Sequence, residues 1–447
     1  MNQNRIAIIG SGPSAFSALK ALQEKGESID IIDAGLTEVD GNFNKSKRKT
    51  ANGNDFPYLN FNSKQEVYGK KIDFINSFAM GGLSNVWGAT IHPNLTSETF
   101  QKNGLAKYLP ITKTSDIVKN KLNYPEQVHD RNGNLIYIYD STCLVENKNT
   151  KCRLCSMCLS GCPYELIWNS ATSFKSLGNS NQVNYFSKFR CFELQMHNHG
   201  VTVLAKNQAN EDSKFGPYKK VLLATGPLET FRILNSSKII NTKKANLEQT
   251  DTFYILVKNH GETKFDSGFG LAQLHLEIFG DQKIWIQLSA FSKSHVQFLK
   301  NKFKLLNIFA DSFLKYVLRN YCLGIGYVDS NSSAGISFEI VKNAKIEIKS
   351  NNIPKRNLVK NILKANLDNF SKLNLKPIRS TLIRLPAGGG AHYGNLNIGG
   401  ENINSYLADI GMSEFVEVID TSSSNFVELG PITVGHMFSI FEKISRE

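Results

Sequence analysis

Six residues near the start of this chain constrain its fold more than any others: Gly10-Ser11-Gly12-Pro13-Ser14-Ala15. They follow an apolar run with strand composition, Arg5 to Ile9, and lead into a helical pattern from Phe16 to Glu24 with apolar residues at Phe16, Leu19 and Leu22. A second strand, Ile29 to Ile32, ends on Asp33. Strand, glycine-rich turn, helix, strand and acid, in that order, form the dinucleotide-binding fingerprint in the context it requires. Gly10 permits the tight turn. Gly12 lacks the Cβ that would hold a pyrophosphate off the backbone, and Ala15 lets the helix pack closely on the strands. The helix N-terminus, which Pro13 opens without an N–H of its own and Ser14 continues, offers free N–H groups and a partial positive charge to the phosphates, and Asp33 is placed to accept from the ribose hydroxyls. The expected fold class is α/β, with a Rossmann-like nucleotide-binding sheet.

At 447 residues the chain is long enough for two domains. After Asp33 comes a polar excursion to about Asp55, then a second glycine-rich segment from Ala79 to Thr90. Ser115 to Asn123 reads as a polar helix, and Val183 to Lys206 alternates as paired strands do. A buried strand, Val221 to Leu223, runs into Ala224-Thr225-Gly226 and a helix from Leu228 to Leu234. The block from Asn246 to Lys372 lacks glycine-rich loops and alternates antiparallel-looking strands with amphipathic helices. It reads as a cap inserted into a discontinuous nucleotide domain. The expected organisation is 1–245, carrying a cysteine-rich insertion at 143–163, then a cap at 246–372, then a return at 373–447 with one strand (Phe415 to Ile419) and a final helix (Thr433 to Ile444). The ligand would lie between the two bodies.

The net charge is +13, spread widely with short clusters such as Lys45 to Lys49. Basic residues are not interleaved with aromatics, so no nucleic-acid partner is expected. The polar start leads directly into the first strand and implies no signal peptide, hence a cytoplasmic protein. No apolar run is long enough to span a bilayer. Phe303 to Leu318, rich in Leu, Ile and Phe, is interrupted by Lys304, Asp311 and Lys315. It reads as an amphipathic helix against the core, which leaves at most a peripheral membrane contact.

Four segments far apart in the chain then fit one scheme: Gly10 to Ala15, Gly81 to Trp87, Ala224 to Gly226, and His392 to Gly399 with Asp420. Together they resemble the glucose–methanol–choline family of flavin oxidoreductases, over nearly the whole chain. The resemblance implies a non-covalently bound FAD. It places Gly81, Gly82, Ser84, Asn85 and Trp87 along the flavin ring, Ala224 and Gly226 beside the adenine half, and Asp420 near the ribityl chain. It makes His392 the catalytic histidine. Oxidising a CH–OH group requires a proton acceptor while hydride leaves for the flavin, and a histidine between small residues (Ala387-Gly388-Gly389-Gly390-Ala391) suits that role. The family's second polar residue, in the turn before the last helix, aligns here with Gly430 or Pro431. His436 is nearby and serves either as that partner or as a core residue, with Asn395 and Asn397 as reserve donors.

Cys152, Cys155, Cys158 and Cys162, followed by Pro163, have the spacing of a bacterial ferredoxin run. The readings are one [4Fe–4S] cluster, completed within the run or by Cys143 or Cys191, a structural zinc, or free thiols. A cluster would give electrons an exit and favour a dehydrogenase over an oxidase. The expected activity is FAD-dependent oxidation of an alcohol, preferably a sugar in a surface-polysaccharide pathway, with an electron acceptor the sequence does not identify. The alternatives are a flavin-fold binding protein that has lost catalysis, and an NAD(P) enzyme, which would need neither the Gly81 nor the Ala224 segment.

Overall fold

The computed structural model describes residues 4–36, 66–92, 104–146, 152–158, 162–177, 182–262, 264–280, 282–291, 295–296, 300, 304–342, 345–351, 357–424 and 433–447. Its centre is a five-stranded sheet in the order Val416–Val418, Lys220–Leu223, Ile6–Ile9, Ile29–Asp33, Val183–Ser187, and every pairing is parallel. The first two strands are buried at every residue, the pattern of a parallel sheet covered on both faces. The opening helix (Pro13–Glu24) and the final helix (Thr433–Arg446) share one apolar cluster, in which Phe16, Leu19 and Leu22 meet Met437, Phe441 and Ile444. Each such side chain contributes about 2 kcal/mol by leaving water. Arg5 fixes the sheet's lower end, donating to Asp30 Oδ1 at 2.6 Å and to the Ile29 carbonyl at 2.6 Å.

The stretch 183–206 departs from the expected hairpin. Val183–Ser187 is the edge strand of the parallel sheet, paired with Ile29–Asp33. Lys188, at φ +70°, breaks the extended run. The hairpin starts only at Arg190–His197, pairing with Gly200–Lys206 and then Asp212–Tyr218.

A seven-stranded antiparallel sheet forms the second large layer, in the order Leu375–Arg384, Thr252–Asn259, Tyr321–Val328, Ile284–Ala290, Leu274–Phe279, Leu135–Asp140, Gln127–His129. Helices Leu358–Ala365 and Leu367–Lys372 cover one face with Val359, Leu363 and Phe370. A six-stranded sheet includes Lys244–Gln249, Ile336–Ile340 and Tyr393–Ile398. The expected helix at 115–123 is only a short 3-10 turn, Thr114–Asp116, because the stretch has too few apolar residues to bury a helical face. The segment read as a core-packed amphipathic helix does form helical turns, Lys304–Ile308 and Asp311–Leu318. Its apolar side, however, faces outward: Leu305, Ile308, Phe313 and Tyr316 are exposed, and Leu314 alone is buried. No helix among the described residues is long and apolar enough to cross a membrane.

Candidate functional site

A cavity of about 830 Å³ opens where the C-terminal ends of the parallel strands face the seven-stranded sheet. This is the position at which open α/β sheets bind ligands. Gly10 has φ +103°, and a Cβ there would strike the Ala224 carbonyl oxygen at 2.6 Å. Two functional segments are thus in backbone contact through the absence of one side chain. Gly12 is the N-cap of the opening helix. Its missing Cβ would meet nothing within 4 Å, and Pro13 and Ser14 line the same open space. Ala15 is fully buried beneath them, inside the apolar cluster. With no side chain capping that helix, its first-turn N–H groups are available to an anion.

Asp33 lines the cavity. Burial pushes its carboxyl up to about 6 against the donors that oppose the shift. Its Oδ2 accepts from Ser11 Oγ and, at 2.8 Å, from the Tyr185 hydroxyl. Ser11 also accepts from the Gly81 N–H at 2.8 Å, and its carbonyl accepts from Ser170 Oγ at 2.8 Å. One serine therefore joins the fingerprint to the second glycine-rich segment.

That segment is a 3-10 turn, Gly82–Val86. Gly81 does not line the cavity. Its φ is +83° and a Cβ there would strike the Ala171 backbone nitrogen at 2.6 Å, so the glycine serves packing against a neighbouring helix. Asn85 likewise turns inward, donating to the Met80 and Gly82 carbonyls. Gly82, Ser84 and Trp87 do face the cavity. Ser84 Oγ donates to the Gly81 carbonyl at 2.6 Å, and Trp87 Nε1 donates to the Trp168 carbonyl at 2.9 Å. Ala224 and Gly226 form the opposite rim. Asp420, also on the rim, pins them in place: Oδ2 accepts from the Gly226 N–H at 2.9 Å and from Thr230 Oγ1 at 2.7 Å, while Oδ1 accepts from the Ser422 N–H at 2.9 Å. Its carboxylate is fully engaged with protein donors.

His392 enters from the other side. The loop before it is fixed by Tyr393, whose hydroxyl accepts from the Ile75 N–H at 2.8 Å and donates to the Gly388 carbonyl at 2.9 Å. Gly388 has φ +80°, and a Cβ on Gly390 would lie 2.0 Å from Thr252 Oγ1 and 3.5 Å from His392 Cδ2. The histidine ring meets Tyr327 edge-on, 5.0 Å between centroids. Its Nδ1 is shielded from water and has no hydrogen-bond partner among the described residues. Burial pushes the imidazole down to about 4, below the near-neutral value expected from its role, so the ring is uncharged at pH 7. Thr252 Oγ1 and Gln287 Nε2 line the same cavity and are also unpartnered among the described residues. His295 is a further histidine in the lining, buried, its imidazole held down at about 4 by desolvation. Sequence analysis gave this histidine no role.

His436 sits elsewhere. It is buried in the final helix with Nε2 2.8 Å from the Ile419 carbonyl, and it does not line the cavity. Its ring is engaged in joining that helix to the last strand, which is the core alternative. Gly430 and Pro431 lie outside the described residues. Asn395 and Asn397 point to other work: Asn395 donates to Glu248 at 2.7 Å, and Asn397 caps the Gly400 N–H.

The described residues lend the cysteine run no support as a metal centre. Among the described residues no three His, Cys, Asp or Glu side chains are grouped to hold a metal ion. All seven cysteines are free thiols. Cys152, Cys158 and Cys162 pack against an apolar cluster containing Val118, Leu166, Phe269 and Leu271. Burial pushes the Cys158 thiol up to about 12, and those of Cys143 and Cys191 likewise. Cys191 belongs to a different core cluster altogether.

No protein-family model and no curated protein matches the sequence. The whole structure nevertheless superposes on solved flavoenzyme folds. It is similar to pyridoxine 4-oxidase from Mesorbium loti, at TM-score 0.56 and 12% identity, over 99% of this chain and 98% of that one. It is equally similar to a formate oxidase variant of Aspergillus oryzae RIB40, at TM-score 0.56 and 11% identity, over 99% of this chain and 97% of that one. The fold is that of the glucose–methanol–choline flavin oxidoreductases. Within this fold the glycine-rich turn, the Ala224 rim and the His392 loop surround one cavity, although they come from opposite ends of the chain.

Proposed function

We propose that this chain is an FAD-dependent oxidoreductase acting on a CH–OH group. The observation that carries the reading is a cavity with an anion-ready helix N-terminus at one wall and, at the other, an uncharged imidazole whose Nδ1 has no partner among the described residues. The cofactor fits the residues present. Gly12 leaves room for a pyrophosphate, Asp33 stands at the end of the second strand, and Gly82, Ser84 and Trp87 line the space beyond. When bound, FAD supplies the hydride acceptor.

The chain's own residues do the rest. His392 accepts the substrate's hydroxyl proton, for which its ring must be neutral. Thr252 and Gln287 orient the hydroxyl with the buried groups they leave unpaired. His295 is proposed as the second polar group, in place of His436. The wall opposite the fingerprint carries Leu271, Leu323, Ile325, Tyr254 and Tyr327. That apolar and aromatic lining supports an alcohol on an apolar or aromatic skeleton better than the free sugar suggested by the sequence. Similarly, the case for a dehydrogenase rested on a cluster as electron exit, and the thiols are not gathered for one. Both named structural neighbours are oxidases, so molecular oxygen is the first acceptor to test.

The test is an absorbance spectrum of the purified protein followed by aerobic and anaerobic turnover on a panel of alcohols. Resolved flavin bands that bleach with an alcohol support the proposal; a colourless protein that takes up no added FAD sinks it. Flavin that no alcohol reduces, in wild type and His392→Ala alike, would favour the binding-protein alternative.

A further inference from the structure

Six of the nine exposed large apolar side chains among the described residues fall in one stretch: Leu305 (83% exposed), Ile308 (80%), Phe309, Phe313, Tyr316 and Val317. A patch this concentrated on an otherwise ordinary surface marks an interaction site. It lies in the connection between two adjacent strands, Ile284–Ala290 and Tyr321–Val328. Those strands send Ser289 and Leu323 into the cavity wall.

The charge of the stretch decides what covers it. By sequence alone, 293 to 319 carries six basic residues, of which Lys293 and Lys302 lie outside the described residues, against the single acid Asp311. Asp311 is already neutralised by Lys300. Arg319 is exposed, with its guanidinium over the Tyr316 ring at 4.2 Å, a cation–aromatic pair suited to the depth of lipid headgroups. A second copy seated on the patch by two-fold symmetry would bring this cationic stretch against its own image. An anionic lipid surface meets both features at once, apolar side chains entering the acyl boundary and cations meeting phosphate.

We propose that the 305–317 segment docks the protein, without spanning, onto a membrane surface rich in anionic lipid. The docked face is then the one from which the strands of the cavity wall descend. This reading is independent of the reaction, because it rests on the outer surface of the connection.

The test is flotation of the full-length protein with vesicles of phosphatidylcholine alone and with vesicles containing equal phosphatidylglycerol. The mass in solution is measured by light scattering alongside. Wild type is expected to float with the anionic vesicles. The double variant Ile308→Glu with Phe313→Glu should lose binding by about tenfold or more, the worth of one buried apolar side chain. Arg319→Gln should lose about fivefold on anionic vesicles. Both substitutions fall on exposed positions, so an unchanged melting temperature confirms an intact fold. Wild type that stays with the soluble fraction overturns the proposal, as does a double variant that floats as well as wild type. A dimer dissolved by the double variant, without vesicle binding, would assign the patch to a second copy instead.

Discussion

The two walls of the cavity are built on opposite plans. On the parallel-sheet side the acidic side chains are spent on protein donors: Asp33 on Ser11 and Tyr185, Asp420 on Gly226, Thr230 and Ser422. On the antiparallel-sheet side His392 Nδ1, Thr252 Oγ1 and Gln287 Nε2 are shielded from water and unpaired among the described residues. A wall that satisfies its own hydrogen bonds is a rigid mould, complete before its ligand arrives. A wall that leaves them open holds a cost that only a suitably polar ligand relieves. The difference separates a resident group from a transient one, and it can be broken by substitution on either side.

The largest effect is expected at Gly10. Gly10→Val puts a branched side chain at φ +103° against the Ala224 carbonyl. It should destabilise the protein by about 3 kcal/mol or more and leave it unable to retain flavin, as read by thermal melting and by absorbance after gel filtration.

His392→Ala should keep the flavin and lower kcat/KM by about a hundredfold to ten-thousandfold. In wild type, kcat/KM should fall as the pH drops through about 4, the folded value of His392. A limb at the ordinary histidine value would instead show that the ring is open to water. The sign for stability runs the same way. A depressed histidine favours the fold fully above its unfolded value of 6.5, and that contribution is lost as the pH falls toward 4.

Asp420→Ala strands the Gly226 and Ser422 N–H groups and leaves the Thr230 hydroxyl only Thr225. It should cost about 2–3 kcal/mol of stability and weaken flavin retention, without the selective loss of turnover expected at His392. Smaller still, Thr252→Val removes an unpaired hydroxyl and should leave stability unchanged or raised by up to about 1 kcal/mol while raising KM for the alcohol. Last, Cys155→Ser should change neither spectrum nor turnover. A lost brown absorbance in that variant would restore the metal reading of the cysteine run.

The same contrast governs what the sequence disclosed. The fingerprint was legible because its chemistry is local: Gly10, Gly12 and Ala15 act within one turn of chain, Asp33 ends the very next strand, and the residue types announce the turn. Ser11 stood in plain view inside that turn, yet its bonds to Asp33 and Gly81 depend on a segment seventy residues later. Gly81 and Asn85 carried the right residue types but are used for packing and for closing their own turn. The open wall was largely hidden. Thr252, Gln287, His295 and Tyr327 sit on separate strands or connections, and only the pairing of those strands brings them to one surface. The cysteine run failed for the converse reason. Its spacing suits a cluster, but three of its four cysteines pack against the apolar cluster of Phe269 and Leu271, and no group of three metal-ligating side chains occurs among the described residues.

The edge strand Val416–Val418 and the helix Thr433–Arg446 have a consequence for biosynthesis. The strand pairs with Lys220–Leu223, whose own neighbour is Ile6–Ile9, and the helix shares the hydrophobic cluster of Phe16 and Leu19. A growing polypeptide therefore exposes the apolar back of its first helix while more than four hundred further residues are translated. Through that interval those side chains lack the last element that covers them.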